Sequence, residues 1–546
     1  MCVRRGRGVE GGGPRRARRP QPRASRAQVA LTHAVSTPHF HSTEAAELIL
    51  RAGGNAVDAA IAATAAQGVV APETCGVGGD LFALVHRPGW EQPRALNASG
   101  RSGSSADPDM LRDVGMTEIP RDHPLSVTVP GCVDGWSALS AELGRLPLAD
   151  CLRPAIAYAA DGFEVSAEQA QAFQQTAHLY ARNPAVADFY PQGAPVKQGD
   201  RVSRQALAAT LTAIAEGGRD AFYLGGPADD IVEAMAGIIS HQDLARGHAD
   251  WVDPISCPIA GATAWVIPPN SQGYLGPATL AVFEMLEPPV DPESPDWWHL
   301  LVEAFRSVAW ERDDLVADPD HAPLPPGLLL DRDRLARAAA TVDRGRAGVW
   351  PRGMGSESGT AYLCVVDAEG LAVSIIQSNY YGTGSAFGAA RGGFLLHNRG
   401  GGFSLTRGHP NELLPGKRPL HTLSPTIWTA DGETKWVIGT RGGAVQPQLV
   451  AQVAARAVLA GSTLEAAQGA PRWTIQEFGP YSTARFQVEP GVPEATLSDL
   501  RRRGHVIDEV GALQSGWGPV SIIEVDGDRR NTFPDPRVAT TSAVVF

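Results

Sequence analysis

Long apolar runs are missing from this 546-residue sequence. No stretch reaches the ~18 consecutive apolar residues of a membrane-spanning helix, and the twin arginines near the start have no apolar segment behind them. The expectation is therefore a cytoplasmic protein without a membrane partner. Cysteine is scarce: the six residues (Cys2, Cys75, Cys132, Cys151, Cys257 and Cys364) form no CxxC pair and no metal-ligand spacing. That argues against a disulfide framework and a zinc site, and fits reduced thiols. Basic residues are the minority, 47 Lys and Arg against 59 Asp and Glu, for a net charge of −12. Residues 1–27 hold nine arginines against the single Glu10, which leaves the body of the chain more acidic still. Nucleic acid is then not an expected partner, because phosphate binding needs a clustered cationic surface on the fold itself. The Arg-, Gly- and Pro-rich head reads as a disordered tail, with polyanion binding or a start codon placed too early as the alternatives.

The familiar catalytic signatures are also absent. There is no GxSxG elbow, no GxxxxGK[ST] phosphate loop and no HExxH zinc helix, and the histidines are scattered singly. Cys75-Gly76-Val77-Gly78-Gly79-Asp80 imitates a dinucleotide fingerprint, but its glycines lead into the β-prone run Leu81–His86 where a helix would be required.

What is present is the texture of a large, loop-rich folded chain. Its 60 Gly and 43 Pro lie above average usage and below the level that signals disorder. Two helices are predicted between Thr43 and Ala66, the second Ala-rich and capped by Asn55 after Gly53-Gly54. Residues 150–245 are mostly helical in pattern, and Trp297–Trp310 is amphipathic. Residues 318–358 read as a polar connection. From Thr360 the texture changes: Thr360–Val366 and Leu371–Ile376 are β-prone around the turn Asp367–Gly370, a hairpin whose first strand begins at a threonine. Glycine clusters follow at strand ends, at 382–384, 392–393, 400–402 and 442–443, and Pro447–Gly461 reads as a helix.

The Gly359-Thr360 step is the remaining place for chemistry. If the peptide bond before Thr360 breaks, the threonine gains an α-amino group with an ordinary pKa of ~7.7–8.0, so one residue supplies both nucleophile and base. Such steps are common, and most are structural.

Further strings add weight: Gly53-Gly54-Asn55-Ala56-Val57-Asp58-Ala59-Ala60, Val129-Pro130-Gly131, Glu357-Ser358-Gly359-Thr360, Tyr381-Gly382-Thr383-Gly384, Lys417-Arg418-Pro419-Leu420, Ser424-Pro425-Thr426 and Gly442-Gly443. In this order they resemble the γ-glutamyltranspeptidase family over roughly residues 34–546. The resemblance implies an α+β, four-layer αββα N-terminal-nucleophile hydrolase fold, and a proenzyme that cuts itself at Gly359-Thr360. Its segments would be a tail (1–27), a large-subunit part (28–359) and a small-subunit part (360–546), the latter two interlocked as a heterodimer. Thr360 would be the nucleophile, Gly442 and Gly443 would lend backbone N–H groups to an oxyanion hole, and this chemistry would require no metal and no organic cofactor.

The pocket strings depart from the glutamate-binding members of that family. Asn97–Arg101 carries its arginine two positions late, Gly402 stands where the acid for the substrate ammonium is expected, and His421-Thr422 replaces a Ser-Ser pair. Gln377-Ser378-Asn379 replaces a Thr-x-Asn, retaining only Asn379. These strings are similar instead to the branch containing oxamate amidohydrolase. Arg101 and Arg399 are then candidates to bind a substrate carboxylate through a guanidinium fork, although a structural ion pair fits each equally well. Asn379, His421 and Thr422 are the candidate pocket donors. The expected partners are a small acidic amide and a water or amine acceptor. The alternatives are a γ-glutamyl hydrolase or transpeptidase acting on glutathione and other γ-glutamyl amides, and a catalytically silent binding protein.

Overall fold

The computed structural model describes residues 32–349, 359–476 and 485–546. The Arg-rich head, and Glu357-Ser358 with the end of the polar connection, lie outside them. Among the described residues no helix is long and apolar enough to cross a membrane.

The strands of the two main sheets are β1 (Ala34–Thr37), β2 (Asp80–His86), β3 (Arg94–Ala98), β4 (Asp250–Val252), β5 (Ile255–Ile259), β6 (Ala262–Val266), β7 (Gly359–Val366), β8 (Ala372–Tyr380), β9 (Thr426–Ala430), β10 (Glu433–Thr440), β11 (Val520–Asp526), β12 (Arg529–Thr532) and β13 (Ser542–Val545). They form a seven-stranded sheet of order β13-β1-β7-β8-β2-β3-β4 and a six-stranded sheet of order β12-β11-β10-β9-β6-β5, antiparallel throughout. The sheets stack through an apolar layer in which Phe82, Leu84, Tyr362, Cys364 and Ile376 of the first meet Ile427, Val437 and Ile523 of the second. Helices α1 (Phe40–Arg51) and α2 (Ala56–Val70) cover the outside of the first sheet, α3 (Leu148–Asp161) packs on α2, and α4 (Gln205–Tyr223) packs on α3. Helices α5 (Leu275–Met285) and α7 (Gln446–Ala454) cover the second, with α6 (Pro295–Ala309) packed outside α5. The layers therefore run αββα.

Local sequence explains the parts that hold the site. Helix α2 opens with a capping box in which Asn55 accepts from the Val57 and Asp58 amides and Asp58 accepts from the Asn55 amide. All fifteen of its residues are buried, which its run of alanines permits. Strand β7 is buried along both faces, with helices over Leu363 and Val365 and the second sheet over Tyr362 and Cys364. That double burial is why it reads as a near-continuous apolar run. The expected hairpin is present, with its second strand running on to Tyr380. The polar connection contains a helix, Arg332–Ala339, and the helix expected over Pro447–Gly461 continues past α7 as a π-helical turn, Ala455–Leu459.

Candidate active site

Thr360 lies at the start of β7, 1% exposed, directly opposite Ser378 of β8. By strand alternation it projects from the same face as Tyr362, the one turned to the second sheet. Its Oγ1 is 3.0 Å from Ser378 Oγ. Ser378 donates to the Gly359 carbonyl at 2.6 Å and accepts from the Tyr380 amide at 2.8 Å. Because the single serine proton goes to the Gly359 oxygen, the Thr360 hydroxyl is the donor in the Thr360–Ser378 contact. The carbonyl before Thr360 is thus already polarised by a hydroxyl, with the threonine oxygen beside it.

Asn379, expected near the nucleophile, is turned away. A register shift between Ser378 and Tyr380 points its Nδ2 to the carbonyls of Pro72 and Thr383. Ser378 holds the position instead. The sequence signal was available in strand period alone, since Thr360 and Ser378 face each other once the hairpin turn is fixed at Asp367–Gly370.

One cavity reaches this point, and a second opens at Tyr380, two residues along β8 from Ser378. The first, of about 250 Å³, is lined by Gly359, Thr360, Gly382, Thr383, Glu73, Glu168 and Arg441 among others. The second, of about 420 Å³, is lined by Tyr380, Tyr381, Arg399, Gly402, Thr422, Ala444 and Arg312 among others. Gly442 and Gly443 connect their walls, because Arg441 before them faces the first cavity and Ala444 after them faces the second. Both glycines have positive φ, +129° and +55°, at the turn from β10 into α7. A side chain is strained there, and at Gly442 a Cβ would also press on Leu449 and Val445. The Gly443 carbonyl accepts from Gln272 Nε2, while Gln272 Oε1 accepts from Arg312. Arg312, which the sequence reading missed because nothing local marks it, is thereby tied to the glycine turn.

Arg399 is 1% exposed and stacks its guanidinium on Tyr380, 3.3 Å from the ring centre. Its hydrogen bond to Thr422 Oγ1 is long at 3.4 Å, its Nε has no partner, and it forms no ion pair among the described residues. Burial pulls the guanidinium below its ordinary value. A Cβ at Gly402 would lie 3.0 Å from Arg399 Cζ and closer still to Nη2. The arginine therefore occupies the space that a residue-402 side chain would need.

Arg101 and His421 do not join this cluster, which corrects the expectation for both. Arg101 pairs with Asp318 at 3.1 Å and donates to the Gly416 carbonyl, outside both cavities. His421 bonds through Nε2 to Asp80 Oδ2 at 3.1 Å, edge-on to Phe82. Burial pulls its imidazole down to about 4. Asp80 also accepts from the amides of Gly100 and Gly131 and faces His397. Burial works against its charge, and these donors and imidazoles prevail, holding it at about 2. Asp80 thus fastens the Gly131 and His421 strings together beneath the site. Of the expected pocket donors, Thr422 alone lines the cavity with Arg399.

The family model for gamma-glutamyltranspeptidase matches residues 42–545. The chain belongs to the γ-glutamyltranspeptidase family. It is 37% identical over 499 residues to the glutathione hydrolase-like YwrD proenzyme of Bacillus subtilis, covering 90% of this chain and 94% of that one. It is 34% identical over 503 residues to the oxamate amidohydrolase proenzyme of Klebsiella pneumoniae, with the same coverage of 90% and 94%. Among solved structures, cephalosporin acylase from Bacillus halodurans superposes with a TM-score of 0.86 at 32% identity, over 96% of this chain and 98% of that one. The family assignment and the αββα architecture agree with the expected N-terminal-nucleophile fold, and the chain is an enzyme of this hydrolase and acyltransferase type.

Proposed function

We propose that this γ-glutamyltranspeptidase-family member is a self-processing amidohydrolase with Thr360 as nucleophile, acting on a small amide that carries a neighbouring carboxylate. In maturation, Thr360 Oγ attacks the Gly359 carbonyl, whose oxygen is held by Ser378. The C–N bond breaks, an ester forms, and water releases the chain ending at Gly359. The freed α-amine then serves as base in turnover. It takes the hydroxyl proton as Thr360 attacks the substrate carbonyl and gives it to the leaving amine as that C–N bond breaks. Water, or an amine, releases the acyl group. The Gly442 and Gly443 amides, between the two cavities, are the donors assigned to the oxyanion.

Arg399 carries the substrate reading. It is a buried guanidinium that no carboxylate contacts among the described residues, the Asp80 charge reaching it only from farther off, and standing where Gly402 leaves room it suits a carboxylate. The same charge repels the ammonium of a γ-glutamyl donor, which would be buried without an acid at 402. The γ-glutamyl reading retains Glu118 and Asp313 on the cavity wall. Glu118 is exposed, however, and Asp313 is paired with Arg312.

A denaturing gel with N-terminal sequencing tests the first half: a new chain should begin at Thr360, and the Thr360→Ala protein should stay full length and inactive. Side-by-side kcat/KM for oxamate and γ-glutamyl-p-nitroanilide tests the second. Efficient γ-glutamyl turnover with oxamate untouched would overturn the substrate reading.

A further inference from the structure

The mechanism leaves one buried acid idle. Glu73 lies between α2 and β2, is 7% exposed, and its Oε2 has no hydrogen-bond partner among the described residues. It lines the same cavity as Gly359 and Thr360. The charged and titratable groups facing it are few. Glu168, on the helix Ala167–Gln175, is paired with Arg441 from the turn after β10. Arg204, buried before α4, donates to the carbonyls of Gly68, Val69 and Gly393. Cys75 is a buried thiol pushed up to about 12, and so neutral.

We propose that in the processed enzyme Glu73 is a positioning residue for the base: its carboxyl and the α-amino group of Thr360 share one proton across this cavity. The inference rests on the reading of Thr360 as nucleophile. Cleavage after Gly359 creates an amine on the wall where Glu73 has a free oxygen. Burial together with the charge of Glu168 pushes the Glu73 carboxyl up to about 8, against the pull of Arg441 and Arg204. An α-amine ordinarily titrates at ~7.7–8.0, so the two groups are matched and titrate as a pair. With one proton between them there are two arrangements, carboxyl with free amine, or carboxylate with ammonium. The first alone leaves a nitrogen lone pair to receive the Thr360 proton. The burial that keeps the proton on Glu73 therefore keeps the base armed.

The test uses self-cleaved wild type, Glu73→Gln and Glu73→Asp. Two curves are measured against pH: kcat/KM, and acetylation of the Thr360 amine by acetic anhydride, read by mass spectrometry of the N-terminal peptide. Glutamine removes the anion that favours the ammonium, so both curves should move together to lower pH by about one unit or more. Aspartate, its carboxyl withdrawn by one methylene, should move them by a smaller amount, and it decides the matter if the glutamine variant does not self-cleave. A purely structural Glu73 would scale the rate at every pH and leave both curves in place, which would overturn the proposal. Failure of the Thr360 reading looks different: wild type would show no chain beginning at residue 360.

Discussion

Replacing Arg399 with methionine separates a substrate-binding guanidinium from a structural one. In the free enzyme the group is buried against Tyr380, with one long bond to Thr422, an unpartnered Nε and no ion pair among the described residues. Removing a buried cation that no carboxylate contacts relieves a desolvation cost larger than the distant pull of Asp80, so the melting temperature should hold or rise. In the complex the same change leaves a substrate carboxylate buried and unpaired. Breaking one partner of a buried ion pair costs about 3–5 kcal/mol, or roughly two to four orders of magnitude in kcat/KM. The assay compares oxamate with oxamide, its uncharged near-isostere, on the processed variant and wild type. Oxamate should lose the full factor and oxamide little of it. Equal losses on both substrates, or a clear fall in melting temperature, would refute the reasoning and make Arg399 a packing residue. As the converse, Gly402→Asp sets a carboxylate against the guanidinium and should shift preference from oxamate toward γ-glutamyl-p-nitroanilide.

Three other outcomes follow from the geometry. Ser378→Ala removes the 2.6 Å bond to the Gly359 carbonyl. It should slow self-cleavage by about 10²–10³-fold, the usual effect of losing one oxyanion donor, seen as accumulating full-length protein on a gel. Gly443→Val forces a β-branched residue to φ +55° and should lower kcat by a comparable ~10²–10³-fold, with a much smaller effect on KM. In the uncut Thr360→Ala protein, Glu73 titrates at about 8 when folded against an ordinary 4.5. A raised acid binds more protons folded than unfolded, so its contribution is favourable below pH ~4.5 and is lost as pH rises toward 8. Adding Glu73→Gln should flatten that decline in denaturant midpoint; an unchanged pH slope would contradict the raised value.

The hairpin at residues 359–380, the capped Ala-rich helix and the glycine turn at 442–443 were legible because each is written in local periodicity or turn chemistry. Arg101 and His421 were misplaced for a different reason. A charged or aromatic polar residue beside a motif carries no local mark of which partner it will meet, and here the partners are Asp318 and Asp80, 217 and 341 positions away in sequence. Asp80 itself was noted only as the end of the glycine-rich string before Leu81–His86, although its carboxylate joins three strings that are remote in the chain. Arg312 escaped notice because its link to the glycine turn passes through Gln272. Ser378 was named and passed over, although period-two pairing across the hairpin already set it opposite Thr360.

The strand order of the first sheet has one more consequence. β7 and β8, which apart from Gly359 belong to the segment beginning at Thr360, are hydrogen-bonded between β1 and β2, and β13 closes the edge beyond β1. A sheet threaded this way forms most readily while the chain is still one molecule, when every pairing is a first-order event. After a cut at Gly359-Thr360, unfolding becomes a dissociation, and recovery must await the collision of two partial sheets with exposed edges that can also pair with strangers. A cut there would act as a ratchet: it would convert a reversible folding equilibrium into a lifetime, with the durability of the processed enzyme set by its unfolding rate.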